Sequence, residues 1–94
     1  MGALVKNAEA AQPLERKARV YVLVTVAEGL SADVASVLRR RAGVVAADVV
    51  EGEPSVIMVV EAEHRLRLAH LTIQALSAVE KATVGLHLMP AESC

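Results

Sequence analysis

The side chains that could do chemistry are few and scattered in this 94-residue chain. Its histidines are His64, His70 and His87, and the six-residue step between the first two places them on different sides of a helix. The single cysteine, Cys94, is the last residue, so neither an intrachain disulfide nor a multi-cysteine zinc site can form. The sequence therefore predicts no metal site and no cofactor.

Two carboxylates, Glu61 and Glu63, lie two residues apart at the end of a predicted strand. Paired carboxylates can act as general acid and base. Acidic residues before a helix can instead interact with the positive end of its dipole, and that interpretation requires no catalysis. Because the sequence also has no glycine-rich phosphate loop, zinc-protease motif or nucleophile elbow, we expect that the protein is not an enzyme.

The main basic concentration is the run Arg39, Arg40 and Arg41, which we interpret as the solvated C-terminal end of a helix. Ten basic against eleven acidic side chains give a net charge of -1, so no overall positive field favours nucleic acid. Only one aromatic residue, Tyr21, is present to stack on a base. We therefore expect no direct DNA binding.

These residues lie on alternating strand-like and helix-like segments. Apolar and β-branched runs predict strands at 19–27, 44–51, 56–62 and 82–89. Helical spacing predicts helices at 32–42 and 63–79, with Ser31 as the N-cap of the first. The expected core stripe of the second helix is Leu66, Ala69, Ile73 and Leu76, widened by Leu68, Leu71 and Ala75. The order βαββαβ predicts an α+β, ferredoxin-like fold, a four-stranded antiparallel sheet with both helices on one face.

The length of the chain predicts one domain. We expect a ferredoxin-like ligand-binding or assembly domain at 19–90, between an N-terminal tail at 1–18 and a C-terminal tail at 91–94. The longest uncharged apolar run, 20–27, has eight residues, too few to cross a bilayer. The N-terminus also lacks the apolar core of a signal peptide. These features predict a cytoplasmic protein without a membrane partner.

The predicted first strand is apolar on both faces. Val22 and Val24 point to one face, whereas Tyr21 and Leu23 point to the other. Two helices on one side of the sheet leave the second face uncovered, and soluble monomers rarely expose an apolar patch of that size. The simplest cover is a second copy, which predicts a homodimer formed sheet to sheet.

The hairpin region carries a family resemblance. The run GVVAADVVEGEPSVIMVVEAE, residues 43–63, resembles the second and third strands of the effector-binding domain of the leucine-responsive regulator (Lrp/AsnC) family. The run YVLVTVAEG, residues 21–29, is similar to that family's first strand, and the resemblance extends over 20–90. It implies a dimeric α/β barrel, possible rings of dimers, and a small effector, typically an amino acid, at the junction between dimers.

The family's DNA-binding helix-turn-helix domain has no counterpart in the residues before the first strand. The resemblance therefore implies a stand-alone ligand-binding domain of transcriptional-regulator type. Such a domain would bind a small effector or co-assemble with a full-length, DNA-binding Lrp/AsnC relative.

The resemblance places any ligand site at the turn between the second and third strands, formed by Gly52, Glu53, Pro54 and Ser55. Ser55 occupies the position of the family's acidic residue, and Ala82 and Val84 occupy the positions of its paired threonines. A hydroxyl in place of a carboxylate predicts weak binding of an amino acid's ammonium group. Gly52 also has a structural interpretation as a turn residue with positive φ.

The sequence leaves two other function classes open. One is a ferredoxin-like assembly chaperone, similar to the protein that holds the signal peptide of periplasmic nitrate reductase, which would bind an extended peptide at a sheet edge or face. The other is a dimeric α/β-barrel enzyme such as a monooxygenase or small isomerase. The hairpin string favours the regulator type over the chaperone, and the enzyme would require a polar cluster that the predicted sheet lacks.

Overall fold

A computed structural model describes residues 17–91 of the chain, and most of both predicted tails lies outside these residues. The elements follow one another in the order βαββαβ. They are β1 Ala18–Val26, α1 Ser31–Arg39, β2 Val44–Val49, β3 Val56–Ala62, α2 Arg65–Ser77 and β4 Thr83–Pro90. A short 3₁₀ turn, Glu80–Ala82, joins α2 to β4. No helix within the described region is long and apolar enough to span a bilayer.

The four strands form one sheet in the order β2-β3-β1-β4, and every neighbouring pair is antiparallel. Both helices pack on the same face, α1 over β2 and β3, and α2 over β3 and β1. The two central strands, β1 and β3, are not consecutive in sequence, as the split βαβ arrangement requires. The predicted α+β, ferredoxin-like fold is confirmed.

The core lies between the helices and alternate residues of the two central strands. In β1 and β3 every second side chain is buried, because successive residues of a strand point to opposite faces. Each buried valine or leucine contributes about 1.5–3 kcal/mol relative to an exposed one. The fully buried side chains of largest volume are Leu38, Met58, Val22, Val24, Val56 and Val60.

The first helix differs from its prediction at both ends. Ser31 is its first residue, not its N-cap, and Leu30 holds the cap position without a side-chain hydrogen bond. The helix ends at Arg39, because the amides of Arg40 and Arg41 donate to carbonyls only three residues earlier. This tightened last turn leaves Arg40 and Arg41 beyond the helix, and Gly43 follows with a φ of 84°.

The core stripe predicted for α2 is correct at Leu68, Leu71, Ala75 and Leu76 and wrong at Leu66, Ala69 and Ile73. Leu66 and Ile73 are 79% and 64% exposed, whereas Leu71, Thr72 and Ala75 are buried against the sheet. The hydroxyl of Thr72 donates to the carbonyl of Leu68 at 2.7 Å, which satisfies this polar group inside the core. Because α2 carries apolar residues around most of its circumference, periodicity alone does not identify the packed face.

The start of α2 is not the acid-rich helix N-terminus that was inferred from Glu61 and Glu63. The cap residue is His64, whose Nδ1 accepts a hydrogen bond from the amide of Arg67 at 3.3 Å. The first turn contains no acidic residue. Glu61 belongs to β3 and Glu63 precedes the cap, so neither is an acidic residue of the helix's first turn.

Candidate functional site

The sheet face that the helices leave uncovered is apolar at its centre. Cross-strand pairing sets Tyr21 beside Val59 and Leu23 beside Ile57, and the β4 side chains His87 and Met89 extend the same face. We call this the open sheet face, formed by Tyr21, Leu23, Thr25, Ile57, Val59, His87 and Met89. Its members on β1 and β3 are half-buried within the single chain. A flat apolar surface of this kind is suited to contact with another protein surface.

A polar cluster lies at one end of the open sheet face. Arg19 forms an ion pair with Glu61 across β1 and β3, and its Nη1 donates to the hydroxyl of Tyr21 at 3.3 Å. The hydrogen bond to Tyr21 and the nearby Glu61 carboxylate raise the pKa of Arg19 above its ordinary value. Glu61 therefore has a cationic partner. Local sequence patterns do not predict this pair, because it depends on the register between β1 and β3, which brings together residues 42 positions apart.

The turn that carries the predicted ligand site links β2 to β3. Gly52 has a φ of 89°, and a Cβ built there would meet no heavy atom within 4 Å. The expected positive φ is confirmed, and the glycine is needed for backbone conformation and not for close approach to its own chain. Glu53 is exposed and Pro54 is half-buried.

Ser55 fastens this turn to the central strand. Its amide donates to the carbonyl of Val24 at 2.9 Å, and its carbonyl accepts from the amide of Val50 at 2.8 Å. Its hydroxyl accepts from the amide of Val26 at 3.4 Å. The side chain that replaces the family's acidic residue therefore has a structural partner, and ligand binding at the turn remains a prediction.

The other candidate residues are dispersed. His64 caps α2, His70 is exposed on the same helix, and His87 lies on the open sheet face beside Leu23. Among residues 17–91 no group of three or more histidine, cysteine or acidic side chains could hold a metal ion. Cys94 lies outside the described residues.

The arginine run divides into one structural residue and two solvated ones. The Nε of Arg39 donates to the carbonyl of Ala47 at 2.7 Å, and Arg39 Nη2 lies 3.9 Å from Asp48 Oδ1. Arg39 therefore ties the end of α1 to β2. Arg40 and Arg41 are exposed.

Two depressions lie away from the turn. The smaller, about 390 Å³, separates α1 from the segment 77–82. The larger, about 1000 Å³, runs between α2 and the adjoining ends of β1 and β4. We call it the α2–β4 groove. Its apolar walls are formed mainly by Val20, Leu68, Ala69, Ile73, Leu88 and Pro90, and its charged lining residues are Lys17, Arg19, Glu63 and Arg65.

No protein-family model and no curated protein sequence matches the chain. Solved structures do share its fold. The hypothetical protein PHS023 from Pyrococcus horikoshii superposes with a TM-score of 0.72 at 22% identity, covering 82% of this chain and 92% of that one. FFRP-DM1 gives a TM-score of 0.70 at 23% identity, covering 80% and 99%. MtbAldR gives 0.65 at 17% identity, covering 88% and 58%.

The chain thus matches nearly the whole of two solved chains and just over half of the third. At identities below 25% the likeness concerns the arrangement of strands and helices alone. The chain therefore shares its α+β fold with FFRP-DM1 and with part of MtbAldR.

Proposed function

We propose that this chain is an effector-binding and oligomerisation domain of the transcriptional-regulator type. The observation that carries the proposal is the open sheet face, an apolar surface that a second subunit would cover. Regulation would follow from assembly. The domain would form a homodimer, associate with a full-length DNA-binding relative, and change that assembly when a small molecule binds. Both helices of the described region pack on the sheet, so DNA contact is assigned to the relative.

The proposed dimer contact is centred on the two central strands, β1 and β3. Leu23 lies in the middle of the open sheet face, between Ile57 on β3 and His87 on β4. Packing two such faces would remove the central apolar side chains of both copies from water and form the dimeric α/β barrel. We place this assembly in the cytoplasm, where a transcription regulator acts.

Replacing Leu23 with Lys is expected to break the dimer without unfolding the subunit. The side chain is half-buried in the single chain, so a long lysine can reach solvent there. In the dimer its ammonium group would be buried without a partner, at a cost of about 3 kcal/mol, which weakens association roughly 100-fold. Light scattering at low micromolar concentration should show the mass fall from twice 9.9 kDa to 9.9 kDa.

The matched control is Val49→Lys, which introduces the same charge on the outer strand β2 at a position that is 47% exposed and is paired with the buried Val56, on the helix side of the sheet. Its mass should equal that of the unmodified protein, and circular dichroism should show that both variants are folded. An unmodified protein that stays at 9.9 kDa throughout the micromolar range would contradict the dimer.

The ligand part of the proposal rests on the turn 52–55. Gly52 is exposed and leaves the main chain open to approach, so recognition there would use backbone N–H and C=O groups. Because Ser55 offers a neutral hydroxyl that already accepts from Val26, it contributes no charge to an ammonium group. We therefore propose a small amino-acid-like effector that is held weakly by this chain.

Ser55→Asp is expected to strengthen amino-acid binding by one to two orders of magnitude. A charge-assisted hydrogen bond contributes about 1.5–3 kcal/mol, which corresponds to that change in Kd. A calorimetric or thermal-shift screen of the twenty amino acids should find no strong ligand for the unmodified chain and a tighter one for the variant.

Ser55→Asn is the matched control, because asparagine has nearly the shape of aspartate but no charge. This variant should bind amino acids no more tightly than the unmodified chain does. If the unmodified chain binds an amino acid at low micromolar concentration, the argument from the missing carboxylate is wrong. If Ser55→Asp binds no amino acid more tightly than the unmodified chain does, the main support for a ligand site at this turn is removed.

A further inference from the structure

The α2–β4 groove begins where the described part of the chain begins. Lys17 and Ala18 both line it, so the residue before Lys17 is attached at one end of the groove. The end of β4 lies at the same end, because the amide of Ala91 donates to the carbonyl of Arg19 at 3.1 Å. The segment 10–16 therefore leads directly away from this groove.

The groove exposes apolar side chains on both walls. α2 packs over β3 and β1, which leaves the helix side of β4 largely uncovered within residues 17–91. Leu88 of β4 pairs with the buried Val22, so it lies on the helix side of the sheet, yet it is 48% exposed. On the opposite wall Ile73 of α2 is 64% exposed. An apolar segment between the two walls would remove surface of both side chains from water, which is favourable.

The segment before Lys17 has a suitable length to lie along the groove. α2 has 13 residues and is about 20 Å long. It begins beside the start of β1, where Ala62 pairs with Ala18, and packs back over β3 and β1. An extended chain spans about 3.3 Å per residue, so residues 10–16 span about 23 Å. A segment that turns back at Arg16 can therefore follow α2 along its whole length.

Leu14 is the one large apolar residue in this segment, AAQPLER. It precedes Lys17 by three residues, so the two lie no more than about 11 Å apart. Leu68 and Ala69 line the groove only about 5–6 Å along α2 from Arg65, which lines it together with Lys17. Leu14 is therefore close enough along the chain to pack against Leu68 and Ala69.

The charges at the attached end also suit this segment. Glu63 and Arg65 line the groove there, and neither forms an ion pair with another residue of 17–91. Glu15 and Arg16 carry one charge of each sign, so each lining residue can meet an opposite charge. Exposed ion pairs contribute little to stability, so the apolar contact of Leu14 is the main one.

We propose that residues 10–16 of the chain itself occupy the α2–β4 groove, with Leu14 packed against Leu68 and Ala69. Because the segment is attached at the end of the groove, its effective concentration there is on the order of millimolar. A contact too weak to hold a free peptide can then form within the chain. It lies on the helix side of the sheet and does not depend on a dimer formed through the open sheet face.

A tryptophan at position 14 reports on this contact, because the chain contains no other tryptophan. The groove, of about 1000 Å³, has room for an indole ring. The fluorescence of Leu14→Trp should lie at shorter wavelength, and be quenched several-fold less by acrylamide, than that of Leu4→Trp. Leu4→Trp is the matched control, since it carries the same reporter outside residues 10–16. Equal emission and quenching in the two variants would overturn the proposal.

Ala69→Glu tests whether the groove is the place where the reporter is shielded. Docking would bury this carboxylate against apolar side chains, so in the Leu14→Trp background it should return emission and quenching to the values of Leu4→Trp. Gln74→Glu is the control, because Gln74 is also exposed on α2 but does not line the groove, and it should change neither value. A reporter that stays shielded in the Ala69→Glu variant would show that the segment lies elsewhere.

Two further outcomes identify other arrangements, and each would overturn the proposal. Shielding that Leu23→Lys abolishes and Ala69→Glu does not would place the segment on the open sheet face. Shielding that appears only as the protein concentration rises from about 1 to 100 μM would mean that the groove takes up the segment of a second copy.

Urea denaturation measures the same contact without a reporter. Leu14→Ser and Ala69→Glu should each lower the midpoint of the otherwise unmodified chain, and Leu4→Ser should not. Because both variants remove one contact, the effect of Ala69→Glu on the unfolding equilibrium constant should be about three- to tenfold smaller in the Leu14→Ser background. Fully additive effects would contradict a contact between Leu14 and Ala69.

Discussion

Val24→Asp is expected to lower the free energy of unfolding by about 3–5 kcal/mol, a large part of the total. Val24 is 0% exposed on the central strand β1, with Val56 of β3 and Leu86 of β4 directly beside it. None of these neighbours can pair with a carboxylate. An uncompensated buried charge costs about 3–5 kcal/mol, and a domain of this size has a total stability of only about 5–14 kcal/mol.

Val45→Asp provides the comparison for this prediction. It makes the same change on the outer strand β2, where the side chain is largely in solvent, and should cost at most about 1 kcal/mol through strand propensity. Urea denaturation followed by circular dichroism measures both free energies of unfolding. A Val24→Asp variant that unfolds cooperatively at nearly the urea concentration of the unmodified chain would mean that this strand is not buried as described.

The strands were predictable from sequence because they are short apolar runs between turn residues. In β1, buried valines alternate with half-buried residues, and the same alternation continues through β3. Both strands are rich in β-branched residues, which fit a packed sheet. The hairpin between β2 and β3 was equally clear, because Gly52 lies between two apolar runs and adopts the positive φ expected of it.

The packed face of α2 was not predictable in the same way. The stripe through Leu66 and Ile73 and the stripe through Leu68 and Ala75 both satisfy the helical repeat, so both were expected at the core. Thr72 was not expected there, and it is buried because its hydroxyl donates to the carbonyl of Leu68. Only the position of the sheet beneath the helix decides between the two stripes.

The polar residues at the candidate sites have partners far along the chain, and these partners could not be predicted from local sequence patterns. The hydrogen bond from Val26 to the hydroxyl of Ser55 joins residues 29 positions apart, and the ion pair of Arg19 with Glu61 joins residues 42 apart. Residue type and local spacing identified Ser55 and Glu61 as polar groups worth attention. Their partners follow from β1 lying beside β3, which local patterns do not reveal.

Gly43→Ala is expected to cost about 2–5 kcal/mol, the second large effect. Gly43 precedes β2 with a φ of 84°, a conformation that costs an L-residue roughly 1–2 kcal/mol. An added Cβ would also lie 2.6 Å from Cδ1 of Leu71 and 3.3 Å from its Cβ and Cγ. The Cδ1 methyl ends the Leu71 side chain, but Leu71 is buried between α2 and the sheet and its Cβ is fixed to the helix, so relieving the clash should cost roughly a further 1–3 kcal/mol.

Gly29→Ala separates these two contributions. Gly29 has nearly the same φ, 85°, but a Cβ there would meet no heavy atom within 4 Å. It should therefore lose only the conformational part, about 1–2 kcal/mol. Urea denaturation of the two variants should place Gly43→Ala at the lower midpoint, with unchanged slopes in both. Equal losses would show that Leu71 can move aside, and would mean that the contact between α2 and the start of β2 is looser than the close approach of Gly43 and Leu71 indicates.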